Sequence, residues 1–172
     1  MLQLSETLLD RPVLSLRAGG QVAQIEAAII NPRNLKLEGF YVTDSVDKQP
    51  LILLYQDIRE LLPQGYIIND HDVLADPDDL VRMKDVLDMR FELMKMPVVT
   101  TSKDSVGKVT DYAVEISTMY IQKLYVSQSI WKNLAGGSLS IDRSQIVEVS
   151  NKQIVISELM QGTPSPATAS LA

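Results

Sequence analysis

A chain of 172 residues with 45 % apolar side chains can fill one medium core or two small ones, and a 22 % charged share is ordinary for a globular protein. The absence of cysteine excludes disulfide frameworks, thiolate metal sites and thiol nucleophiles. A formal charge of −6 repels nucleic-acid backbones unless basic residues gather on one face; residues 1–76 hold six basic against eleven acidic side chains and the remainder ten against eleven, so the second part suits an acidic partner better.

The opening MLQLSETLLDRPVLSL has no basic region followed by a continuous apolar core, so it does not read as a secretory signal. No apolar run reaches the roughly 18 to 20 residues that cross a bilayer, and the expected location is the cytoplasm, membrane-peripheral only through a partner. Runs of Val, Ile, Leu and Tyr are separated by AGG (18–20), NPRN (31–34), DSVDKQP (44–50), TSKD (101–104) and AGGS (135–138), which predicts β-strands joined by turns. Ile25 and Ile30 differ in parity within one apolar block, so that strand is expected to curve and change its buried face. The segment DPDDLVRMKDVLDMRF (76–91) predicts a helix, with Asp76 as N-cap, Pro77 in the first turn, and Leu80, Met83 and Leu87 at helical spacing. Residues 159–172, rich in Pro, Ser, Thr and Ala, read as a disordered tail.

The blocks repeat. Shifting the chain by 84 positions (121 minus 37) lays VAQIEAAIINPRNLKLEGFYVT (22–43) on VGKVTDYAVEISTMYIQKLYVS (106–127) without a gap, matching Leu37 to Ile121, Phe40 to Leu124 and Tyr41 to Tyr125. Upstream the shift is 85, bringing LLDRPVL (8–14) onto LMKMPVV (93–99). Downstream it is 88, bringing YQDIRELLPQGYIIN (55–69) onto RSQIVEVSNKQIVIS (143–157). Shifts that change only between apolar blocks are what loop insertions do to two copies of one fold. The expectation is a tandem duplication of a small domain, too long in period for a solenoid repeat.

A Leu-x-x-x-Pro-Val strand, then Val-Gly-x-Val-x-Asp-Tyr-x-Val (106–114), a strand ending Leu-Tyr-Val-Ser (124–127) and a closing Ile-Val-Ile (154–156) together resemble the PRC-barrel family. That family includes the cytoplasmic domain of the photosynthetic reaction-centre H subunit and the C-terminal domain of the ribosome maturation factor RimM. The resemblance implies a mainly β protein with two tandem PRC-type barrels, 1–75 and 92–158, joined by the 76–91 helix, and a docking role with no reaction attached. The first copy departs from the pattern, carrying Val22-Ala23 in place of Val-Gly.

Little chemistry is advertised. His71, the single histidine, lies between Asp70 and Asp72, but transition-metal sites want several His or Cys ligands, and the acidic run has no EF-hand order. No Gly-x-Ser-x-Gly elbow or phosphate loop occurs, so neither an enzyme nor a cofactor is expected. The interval between the third and fourth strand blocks of the second copy gains residues, SQSIWKNLAGG (127–137), with the only tryptophan. Ile130, Trp131 and Leu134 are candidate partner anchors; the competing reading folds Trp131 back over its own barrel. Met83, Met89, Met94 and Met96 suit packing between the copies. The leading expectation is an adaptor or scaffold that binds a protein partner. An alternative is a ribosome- or RNA-associated factor touching nucleic acid through Lys103, Lys108, Lys123, Lys132 and Arg143. A membrane-complex assembly factor recruited by a protein receptor is the third reading, and exposed strand edges leave a homodimer open.

Overall fold

In the computed structural model, residues 1–128 and 137–158 are described. The chain is mainly β: thirteen strands among the described residues form one hydrogen-bonded sheet that is not closed. They are β1 (Leu2–Leu4), β2 (Pro12–Ser15), β3 (Gly20–Asn31), β4 (Lys36–Asp44), β5 (Pro50–Leu54), β6 (Ile58–Leu62) and β7 (Gly65–Ile68), followed by β8 (Pro97–Thr100), β9 (Ser105–Glu115), β10 (Tyr120–Gln128), β11 (Ser138–Asp142), β12 (Ile146–Val149) and β13 (Ile154–Ile156).

The expected turns fall where Gly, Pro, Asn and Asp cluster, and the parity change has a physical cause. The β3–β4 register shifts between Ile25 and Ala27 and again between Ile29 and Ile30. These irregularities bring Ile25 and Ile30, of opposite parity, into the same apolar cluster, while Ile29 on the other face joins a second one.

Pairing within β2–β7 matches pairing within β8–β13. The pairs β2–β3, β3–β4, β4–β5 and β6–β7 are antiparallel and β2–β7 is parallel. Likewise β8–β9, β9–β10, β10–β11 and β12–β13 are antiparallel and β8–β13 is parallel. The two sets meet where Lys36 pairs with Tyr120. Here Leu37 N donates to the Met119 carbonyl (2.8 Å) and Ile121 N to the Leu35 carbonyl (2.9 Å), a reciprocal exchange on either side of the Lys36–Tyr120 pair, whose members correspond in the repeat. One apolar cluster contains Val13, Ile25, Leu37, Phe40 and Tyr66 together with Val98, Val109, Leu124, Ile141 and Ile156, so both sets share a continuous core.

Two findings differ from the sequence reading. The 76–91 segment is not one helix. Asp76 does cap it, accepting from Asp78 N (2.9 Å), but it starts a 3-10 turn (Pro77–Asp79); a second follows (Val81–Met83), and only α1 (Lys84–Met89) is α-helical. Leu80, between the turns, leaves the helical region (φ −88°, ψ 64°), and Arg90 closes α1 in the left-handed region. The apolar stripe survives the break, since Leu80, Met83 and Leu87 pack with Val86 around Ile29 and Ile52. The second difference is β1, which leaves the N-terminal set to pair with β9, Leu2 opposite Glu115 and Leu4 opposite Ala113. Among the four methionines, Met96 is in the main core and Met83 under α1, while Met94 is exposed. No helix among the described residues is long and apolar enough to cross a membrane.

Candidate functional site

The two corresponding hairpins, β4–β5 and β10–β11, are the place to look for function, because identical pairing has been put to different use. In both, register matches position for position: Tyr41 opposes Ile52 on the first, and Tyr125 opposes Ser140 on the second. The first hairpin is covered. Tyr41, Ile52 and Leu54 pack with Ile29 against Val86 and Leu87 of α1, and Ile52 is fully buried. Its free edge is closed as well, since Ile52 N donates to the Ala75 carbonyl (2.8 Å) and Ala75 N to the Ile52 carbonyl (2.9 Å).

Among the described residues, the second hairpin has neither cover. Ser138, Ser140 and Asp142 are exposed, and among the described residues β11 pairs only with β10. Where the first hairpin offers Ile and Leu to a helix, the second offers Ser and Asp to solvent. At its base, Asp142 accepts from Ser144 N (3.0 Å) and Ser144 Oγ (2.8 Å), and the Gln145 side chain caps Asp142 N (2.8 Å). The Ser144 backbone N–H, the largest influence, holds the Asp142 carboxyl below its ordinary range. At the open end, Gln128 N donates to the Gly137 carbonyl (3.1 Å), so the connection carrying Ile130, Trp131, Lys132 and Leu134 leaves and re-enters at this hairpin. Those four side chains lie outside the described residues.

The remaining expected cations are dispersed. Lys103 is exposed in the β8–β9 turn, and Lys108 is exposed on β9 opposite Ser127. Lys123, half-buried, sits opposite Ala113 on β9 and Asp142 on β11. Lys108 and Lys123 are thus four ladder pairs apart, about 13 Å at ~3.3 Å per residue. Arg143 is drawn inward: it donates to the carbonyls of Ile121 (3.0 Å) and Asn34 (2.6 Å), with its guanidinium 5.0 Å from the Tyr120 ring centre. Lys36 completes this junction, bonding Tyr55 Oη (3.0 Å) and lying 4.4 Å from that ring's centre. The Tyr55 bond, chiefly, raises the Lys36 ammonium above its ordinary range.

One buried carboxylate carries no signal in the sequence. Asp44, 3 % exposed, accepts from Val46 N (2.7 Å) and Asp47 N (3.2 Å) and contacts His71 Nε2. The His71 contact first, then the Val46 N–H, holds its carboxyl down at about 2. The His71 side chain itself is 49 % exposed, so the pair clasps the 45–49 turn to the segment before Ala75 rather than lining a cleft. Asp44 sits in DSVDKQP, which reads only as a turn, and nothing local marks it as buried. No family model matches the chain, and no curated protein matches it.

Proposed function

We infer that the chain is a non-enzymatic adaptor in which two PRC-type barrels, 1–75 and 92–158, are held together and a protein partner docks on the second through the β10–β11 hairpin. The matched pairings of β2–β7 and β8–β13, and the reciprocal bonds flanking the Lys36–Tyr120 pair, support the tandem reading. The observation that carries the docking reading is the difference between the hairpins: the first packs on α1 and bridges to Ala75, and among the described residues nothing covers the same frame on the second. The 129–136 insertion with Trp131 joins that uncovered frame, where a large aromatic makes an effective anchor. With its two barrels fixed, the adaptor presents one docking face in a set orientation, which favours partners that need positioning.

Capture of the tagged chain's partners from its own cell extract, with and without nuclease, tests this. The expected result is a protein that survives nuclease and is retained about tenfold less by Trp131→Ala, the scale of a hot-spot anchor. Complete loss on nuclease treatment, with retention falling steeply with salt, would overturn the reading in favour of a ribosome- or RNA-associated factor.

A further inference from the structure

Where the first strand set (β2–β7) meets the second (β8–β13), the backbone has a local twofold relation. Leu37 N bonds the Met119 carbonyl and Ile121 N the Leu35 carbonyl, and a shift of 84 positions (121 minus 37, 119 minus 35) turns one bond into the other. Leu35 and Met119 both lie in the left-handed region (φ 51° and 58°), and their N–H groups return to the carbonyls of Asn31 (2.8 Å) and Glu115 (2.7 Å), again corresponding residues. In a twofold interface the residue on the axis meets its own copy. Here the axis pair is Lys36 and Tyr120, which correspond in position and differ in chemistry. The difference is repeated one step outward. Tyr55 opens the 3-10 turn after β5, and its counterpart Arg143 opens the turn after β11. Lys36 Nζ lies 4.4 Å from the Tyr55 ring centre and 5.9 Å from that of Tyr120, and the Arg143 guanidinium lies 5.0 Å from the Tyr120 ring centre. The four side chains make a row of ring, cation, ring, cation across the seam. We propose that this row makes the seam an interaction surface selective for the opposite set: a first set takes a second set and refuses the first set of another chain.

The other pairings show what the row selects. First set on first set would bring two Lys36 ammonium groups together at the axis with no ring between them. Second set on second set would bring two Tyr120 rings together, each already beside its own Arg143, with no cation between them. Only the mixed pairing sets a cation against a ring at the axis, an attraction effective within about 6 Å. Glu38 belongs to the same arrangement. Its Oε2 lies 3.9 Å from Lys36 Nζ, and its counterpart 84 positions on (122 minus 38) is the uncharged Gln122, so the carboxylate is present where the axial cation is and absent where it is not. A second set from another chain would fit as the chain's own does. The covalent connection decides between them, because it holds the chain's own second set at high effective concentration. The surface therefore closes the chain on itself and not on a like set of a neighbour.

Urea unfolding of the full chain tests the axis contact by itself. Exchanging cation and ring within the first set (Lys36→Tyr with Tyr55→Arg), or within the second (Tyr120→Lys with Arg143→Tyr), keeps a cation beside a ring in each set and changes what meets across the axis. All four substitutions together restore a cation against a ring. Bonds that an exchange breaks elsewhere, such as those from Arg143 to the Asn34 and Ile121 carbonyls, cancel when the variants are compared as a cycle. The folding constant of the fourfold variant is expected to lie about threefold above the value obtained by multiplying the two separate losses, the scale of one cation–ring contact. The second-set exchange alone, which sets two ammonium groups face to face, should lose less in high salt. If the exchanged chains do not fold, Lys36→Met, Tyr120→Leu and the two combined form a milder cycle with the same sign of coupling expected. Losses that simply multiply overturn the proposal, in the exchange cycle or, where those chains do not fold, in the milder one. The docking role of the β10–β11 hairpin rests on capture through Trp131 and stands or falls separately.

Discussion

At the scale of single residues, buried polar groups set how the chain responds to acid and to small changes of shape. The Asp44 carboxyl, held at about 2 by His71 and the Val46 N–H, lies below the roughly 3.9 of an unfolded aspartate. A depressed folded value means that the stabilisation is complete above the unfolded value and is lost as pH falls from about 4 toward 2. Asp44→Asn should therefore cost about 1–2 kcal/mol at neutral pH and flatten the stability curve in that acid window, read by urea unfolding at stepped pH. Tyr66 is a second case: it is buried, donates to the Leu8 carbonyl (3.0 Å), and burial raises its hydroxyl above the ordinary phenol range. Gly107 shows the steric side. A Cβ there would fall 1.8 Å from the Ser127 carbonyl oxygen, so Gly107→Ala should lower the urea midpoint by the equivalent of about 2–3 kcal/mol with an unchanged slope. The Val106-Gly107 step stood out in the sequence only by resemblance to a family pattern, and its physical reason here is the close approach of β10. Asp44 and Tyr66 were not legible as buried partners, because each is satisfied by a group from a distant part of the chain.

At the scale of elements, what could be read was whatever local chemistry decides. The strand blocks followed from alternation and turn residues, and the β3 parity change coincides with two register irregularities in its pairing with β4. The linker was over-read: Asp76 and Pro77 are a true start signal, but Leu80 turns out of the helix so that four apolar side chains reach one small patch. That patch is shallow, with Val86 as its buried centre, so Val86→Ala should cost about 1–2 kcal/mol, less than the 2–5 typical of a deep core site. Thermal unfolding checks it, and a loss as large as a deep-core substitution would mean that α1 holds more than the β4–β5 face. β1 was missed because Leu2-Gln3-Leu4 is three residues long and its pairing partner lies more than 100 positions away.

At the scale of the whole molecule, the hydrogen-bonded seam between the two strand sets is small, while the apolar core beneath it is shared. One residue pair joins β4 to β10, and Arg143 bridges the sets through the Asn34 and Ile121 carbonyls while stacking on Tyr120. The sequence offered Arg143 as a surface cation, and only the fold shows that its charge serves the junction. Arg143→Ala should destabilise the chain by about 1–3 kcal/mol, the scale of losing charged hydrogen bonds that leave carbonyls unpaired. Arg143→Lys should recover only part of it, because one ammonium cannot reproduce the planar fork over a ring. Calorimetry distinguishes a single shifted transition from two separated ones, and the shared core predicts the single one. The crossing of β1 to β9 adds a consequence for synthesis. β1 can find its partner only after Ala113–Glu115 have been made, and Ser5 completes its bond to Asp111 at the same late moment. β1 must therefore wait, unpaired, while β2–β7 can pair among themselves. Such distant closure slows folding relative to local contacts and makes the order of chain emergence part of how this protein assembles.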